Sequence, residues 1–272
     1  MKKTLLPLLL SLVLAAFCGL NAMPVCAESS DAFAAAYAEK LDAAPGTSLD
    51  EAQTLLDELL SCDGTLPDAA ISGYMDFLYR ISASLLDDYW DDDAFAENLG
   101  DNSLISPRYG EGGIGYGANY GAVRAALGDR LSEAYGRFFE LSETYFSGYL
   151  VDDMALMISW DGLAQFLIDW SVFRISYPRF IEIDSVDGDI RFGLYLYAGC
   201  FNLDNTPVIY YDDTLSPNVK ASYEKFLNDP ASGDVLYYGD IEELYEVWKA
   251  NSFMYTQDVQ DFIAELEAKL YE

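Results

Sequence analysis

Histidine is missing from all 272 residues. Its absence removes Ser-His-Asp and Cys-His nucleophile systems, histidine-ligated zinc and the commonest general base near neutral pH. Basic residues are scarce too: 15 Lys and Arg stand against 46 Asp and Glu, a formal charge of −31. So negative a chain repels phosphate backbones and anionic lipid, which argues against nucleic acid and membrane surfaces as partners. Cysteine is sparse, with 4 in the chain, and past the N-terminal segment no stretch is long and apolar enough to cross a bilayer. What remains is about half apolar. A chain of this length buries about 70–75% of its unfolded surface, which excludes a disordered polymer.

The first 27 residues read as a secretory signal. Lys2 and Lys3 precede an apolar run from Leu5 to Leu20, and small residues lead to an acidic stretch, with cleavage expected after Ala27. The run is shorter than the roughly 20 residues of a spanning helix. The mature chain then carries 13 basic against 46 acidic residues, a charge of −33. It keeps Cys62 and Cys200 as an even pair in an oxidising compartment, either as a disulfide or as two buried thiols. A catalytic thiol lacks its imidazole partner.

Residues 28–99 read as a helical region. Ser48 and Glu51 form a capping box before the stripe Leu49, Ala52, Leu55, Leu56, Leu59, Leu60, and a third helix follows from about Asp68. Residues 100–119 are rich in glycine and read as a loop or linker. Residues 120–230 read as an α+β region: a helix over Tyr120–Leu141, a buried helix over Trp160–Phe173, and a β-hairpin over Phe180–Tyr197. In that hairpin Ile181 and Ile183 alternate with acids and Asp187-Gly188 supplies the turn. Thr206–Tyr211 reads as a further strand and Ser216-Pro217 as a helix start. Residues 231–272 read as C-terminal helices, with Ile241, Leu244, Tyr245 and Trp248 on one and Val259, Phe262, Ile263, Leu266 and Leu270 on the other. The expected fold is helix-rich α+β with a small antiparallel sheet in the central part.

Four groups of residues are candidates for chemistry. Asp87, Asp88, Asp91 and Asp92 pair at helical spacing and are candidate calcium ligands, or a solvated helix end. Calcium is the one cofactor the composition suggests. Gly113, Gly115 and Ala118 match a dinucleotide-binding fingerprint formally but follow no apolar strand, so they read as turn glycines. Tyr109, Tyr116 and Tyr120, with Trp90 before them, are candidate ligand-contact rings on that glycine-rich segment. Finally, carboxylates are plentiful enough for a glycoside hydrolase, though spacing singles out no pair.

Residues 120–227 resemble the SUKH superfamily of small α+β domains. Leu127-Gly128-Asp129-Arg130-Leu131-Ser132-Glu133-Ala134-Tyr135 with Phe138-Phe139 is similar to the family's opening pattern. Phe180–Ile183 with Asp187-Gly188-Asp189 resembles its central hairpin, Thr206–Asp212 its next strand and Ser222–Leu227 its closing helix. The resemblance implies a non-catalytic binder that neutralises a toxin. The composition agrees with binding: an exported acidic protein with a depleted catalytic inventory, whose partner carries a basic patch or is an extracellular glycan. The alternatives are a glycan-binding protein or carboxylate-dependent glycoside hydrolase, and a calcium-stabilised structural protein.

Overall fold

The computed structural model describes residues 23–90, 92–100, 103–110, 112–201, 203–210 and 212–271. Residues 1–22, the bulk of the segment read as an export signal, lie outside them. The N-terminal part is helical as expected: α1 (Met23–Ala43), α2 (Leu49–Leu59), α3 (Asp68–Tyr89) and the short α4 (Asp93–Asn98). The capping box is present, Ser48 Oγ accepting from the Glu51 amide at 3.3 Å and the Glu51 carboxylate from the Ser48 amide at 3.2 Å. It stabilises α2 by about 1 kcal/mol. Helices α1 and α2 lie against α3, whose Ile71, Tyr74, Phe77, Leu78 and Ile81 are wholly buried. Two phenols tie the layers together, Tyr37 donating to the Leu55 carbonyl and Tyr74 to the Ala52 carbonyl.

The sheet expected in the central part exists, but it lies elsewhere. The segment read as a loop or linker holds β1 (Ile105–Gly110) and β2 (Gly113–Ala118), an antiparallel pair running from Ile105 opposite Ala118 to Gly110 opposite Gly113. Period-two alternation is the cause: Ile114, Tyr116 and Ala118 point into the core and Gly113, Gly115 and Gly117 face the other way. Pro107 is tolerated because a two-stranded sheet has only edges.

Beyond the hairpin, the helix expected over Tyr120–Leu141 is broken into α5 (Tyr120–Leu127) and α6 (Glu133–Phe146) by a 3-10 turn that opens at Gly128, φ 55°. A two-residue hairpin follows, β3 (Val151–Asp152) with β4 (Ala155–Leu156), and then α7 (Trp160–Ser176), the buried helix read from its apolar sequence. Three further helices close the chain: α9 (Pro217–Asn228), α10 (Tyr238–Ala250) and α11 (Gln257–Leu270). All three match the reading.

The main correction concerns Phe180–Tyr197. Instead of a β-hairpin it holds a helix, α8 (Ile183–Tyr197). Val186, Ile190, Gly193, Leu194 and Tyr197 recur at helical spacing and are buried, whereas Phe192, which the alternating pattern requires inside, is 47% exposed. Gly193 lets α8 approach α7 so closely that an added Cβ would stand 2.6 Å from Phe166 Cε1. The stretch that resembles the SUKH central hairpin therefore forms the entry and first turns of α8. The further strand expected over Thr206–Tyr211 is likewise not formed by its described residues, 206–210, among which only Ile209 bridges, to Leu215; residue 211 lies outside the described residues.

Buried apolar residues from Tyr37 to Leu270 form one contiguous cluster, with Phe138, Trp170, Phe173 and Phe180 in mutual ring contact at its centre. Cys62 and Cys200 are free thiols, so the disulfide alternative is not realised. Burial pushes the Cys200 thiol up to about 12. Among the described residues no helix is long and apolar enough to cross a membrane.

Candidate ligand cleft

Of the four rings singled out in the sequence, two are accessible. Trp90 is 56% and Tyr109 58% exposed, but Tyr116 and Tyr120 are buried and are not contact surfaces. Tyr116 donates to the Tyr89 carbonyl at 3.0 Å, fixing the hairpin to the end of α3. The Tyr120 hydroxyl lies 2.9 Å from that of Tyr79, and burial raises its pKa despite the opposing hydrogen bond with Tyr79 and the nearby Arg108. Gly113 and Gly115 of the formal dinucleotide pattern, together with Gly117, leave a bare strand face. Trp90 covers it at Gly113, Tyr149 at Gly115 and Arg108 at Gly117, where an added Cβ would be 2.8 Å from Trp90 Cε3 and 2.5 Å from Arg108 Nε. They accommodate side chains of this protein rather than a pyrophosphate.

The acidic residues after Leu86 are also accounted for locally. Asp87 and Asp88 sit in the last turn of α3, and Asp92 caps α4, accepting from the Phe95 amide at 2.9 Å; residue 91 lies outside the described residues. Among the described residues no three acidic, His or Cys side chains converge as metal ligands would.

A different feature has the shape of a ligand site. A cleft of about 500 Å³ opens where the start of α7, the loop before α9 and the start of α9 meet, lined by Trp160, Asp161, Asn205, Thr206, Tyr210 and Asn218. That volume lies within the range of about 300–1,000 Å³ typical of small-molecule sites. Sequence gave no hint of it, because its walls come from three separated segments and none carries a motif. Each wall is set by local chemistry. Ser159 caps α7 by accepting from the Gly162 amide at 3.0 Å, which fixes where Trp160 and Asp161 start. Pro217 at the first turn of α9 follows Ser216, whose side chain makes no cap bond, and no acidic residue sits in that first turn.

Two lining residues, Asn205 and Thr206, are tied to a turn with unfavourable backbone geometry. Asp153 and Met154 form the β3–β4 turn with φ of 44° and 55°. Asn205 pins that turn, donating from Nδ2 to the Asp153 carbonyl at 2.6 Å and from its amide to the Met154 carbonyl at 3.1 Å, while Thr206 Oγ1 accepts from the Leu156 amide at 2.8 Å. On the far side Asp213, Ser252 and Phe253 also have positive φ; the Leu215 amide donates to the Phe253 carbonyl and the Tyr255 amide to Asp213. Among the described residues with positive φ, Asp153, Met154 and Phe253 thus bond to the loop 205–216 and Asp213 lies within it. Each costs about 1–3 kcal/mol, and such strain gathers at ligand clamps.

Electrostatically the cleft is nearly neutral within an acidic molecule. Asp161 pairs with Lys225 at 2.7 Å, and that hydrogen bond, aided by Ser222, holds its carboxyl below the ordinary value. No lysine or arginine is among the residues that line the cleft. Elsewhere the cations are consumed internally. Seven more form ion pairs, Arg80 and Arg130 donate to backbone carbonyls, and Arg191 reaches the Asp187 carbonyl. Comparison with known protein families, curated proteins and solved structures finds no match.

Proposed function

We propose that this is an exported protein that works by binding, with the cleft beside Trp160 as its ligand site. The observation that carries the reading is the state of Asp161. Among the described residues it is the one carboxyl lining the cleft and it is paired with Lys225, so the two facing carboxyls of a glycoside hydrolase are not assembled there; the other titratable group of the lining is the Tyr210 phenol. A general acid–base cycle needs two such groups poised differently; a fixed acceptor needs one. The N-terminal basic residues and apolar run support export.

The test is a thermal-shift screen of the purified mature chain with neutral sugars, amino acids and nucleotides, followed by product analysis of every hit. A ligand present at 100 times its Kd stabilises by about 2.7 kcal/mol and raises Tm visibly. We expect a hit with no product. Steady turnover abolished by Asp161→Asn would refute the reading.

A second reading, a protein partner with a basic patch, is favoured by the internal use of the cations, which leaves the surface acidity uncompensated. The SUKH-like segment would make that partner a toxin. Capture of a basic protein that weakens from 50 to 300 mM salt supports this reading; capture indifferent to salt counts against it.

A further inference from the structure

We infer that the ligand of the Trp160 cleft is a neutral saccharide, an inference that rests on the binding reading above and assigns it a chemical class. Three properties of the lining converge. The first is aromatic surface: Tyr210 lines the cleft, 40% exposed and with its hydroxyl unpartnered among the described residues, while Trp160 beside it is buried and offers only an edge. Sugar rings offer apolar C–H faces to such side chains, and the phenol adds a polar handle.

The second is an even supply of donors and acceptors. Asp161 accepts only, being ionised; the amide of Asn218 does both; and the uncapped first turn of α9 offers backbone N–H groups toward the cleft. A row of hydroxyls, each both donor and acceptor, satisfies such a mixed set. An apolar ligand would leave it unsatisfied.

The third is charge. An anionic ligand would meet Asp161 with no cation lining the cleft, in a molecule of charge −31. A cationic ligand would have to compete with Lys225 for Asp161. Neutral polyols are the class that neither penalty touches. The lining residue Asn205 is pinned by its hydrogen bonds to the Asp153–Met154 turn, which reduces the ordering cost when the ligand enters.

The experiment is titration calorimetry of the mature chain with cellotriose, maltotriose, xylotriose, mannotriose and tri-N-acetylchitotriose, with trigalacturonic acid as the anionic comparison. Tyr210→Ala and Asn218→Ala, both at exposed positions, test the site, and Tyr109→Ala tests the other exposed aromatic surface. We expect at least one neutral trisaccharide to bind, roughly tenfold more weakly in Tyr210→Ala, with Tyr109→Ala unchanged and the trigalacturonate silent. Binding that Tyr109→Ala abolishes and Tyr210→Ala does not would overturn the assignment to this cleft. If no neutral trisaccharide binds while another small molecule raises Tm in a Tyr210-dependent way, the saccharide class fails and the binding reading stands. If the bound trisaccharide is cleaved, the class stands and the binding-only reading fails. If no small molecule shifts Tm, both fail.

Discussion

Two glycines five residues apart on α8 provide the sharpest test of the fold. Gly188 has open space around the position where a Cβ would go, and its φ is helical; Gly193 would place a Cβ 2.6 Å from Phe166 Cε1, 2.9 Å from Cδ1 and 3.2 Å from a Leu167 methyl. Replacing a helical glycine by alanine gains roughly 0.5–1 kcal/mol of backbone entropy. At Gly188 nothing opposes that gain. At Gly193 the ring of Phe166, itself fully buried, must shift, and overpacking of this kind costs about 1–3 kcal/mol. Gly188→Ala should therefore stabilise and Gly193→Ala destabilise. With about 2–4 °C per kcal/mol for a domain approaching this size, Gly188→Ala should raise Tm by about 1–4 °C, and Gly193→Ala should lower it by up to several degrees. Calorimetry of the wild type and the two variants at one pH measures both. If residues 187–188 formed the turn of a hairpin, Gly188 would need a positive φ and Gly188→Ala would destabilise by more than 1 kcal/mol; a fall in its Tm refutes the helix.

Asp189, half-buried on the same helix, has its carboxyl pushed up to about 7 by loss of solvent. Between its ordinary value and that one the folded state holds a proton the unfolded state has released, so stability falls as pH rises from about 4 to 7. The full shift corresponds to about 4 kcal/mol, and residual solvent access reduces it. Tm recorded at pH 4.5 and 7.5 should show a fall that Asp189→Asn flattens; equal pH dependence of the two proteins sinks the assignment. Thiol counting in denaturant should return two free thiols for the mature chain. In the folded protein Cys200 should resist alkylation at pH 8, because a thiol at about 12 is roughly a thousandfold less ionised than an ordinary one at 9. Rapid labelling of Cys200 in the native state would contradict its burial.

The helices were legible in the sequence wherever a cap and a stripe coincided, as at Ser48 and Leu49–Leu59, or where proline opened a turn, as at Pro217. The fold class was legible too, yet the sheet was assigned to the wrong segments. Asp187-Gly188 is a strong turn signal only when flanked by true alternation, and the flanking residues fit a period of 3.6 as well as 2. Packing against α7, which the chain itself does not announce, decided between them. In residues 105–118 the error ran the other way: glycine density read as irregularity, although Ile114, Tyr116 and Ala118 already alternated with it. The cleft was illegible because Trp160, Asn205 and Tyr210 meet only through tertiary contacts. Trp160 read simply as the start of a buried helix, and Tyr116 and Tyr120 drew attention by proximity to glycines rather than by exposure.

The bare face of β2 carries a consequence for how the molecule assembles. Two strands alone are marginal in water, and on the glycine row β2 offers no side chain, leaving Arg108 of β1 as the cover the pair itself supplies. The rest of the cover arrives from far along the chain, with Trp90 ahead of the strands and Tyr149 well beyond them. Closing those loops must precede the reward on that face, so the glycine row is covered only after the hairpin's other face has docked on α3.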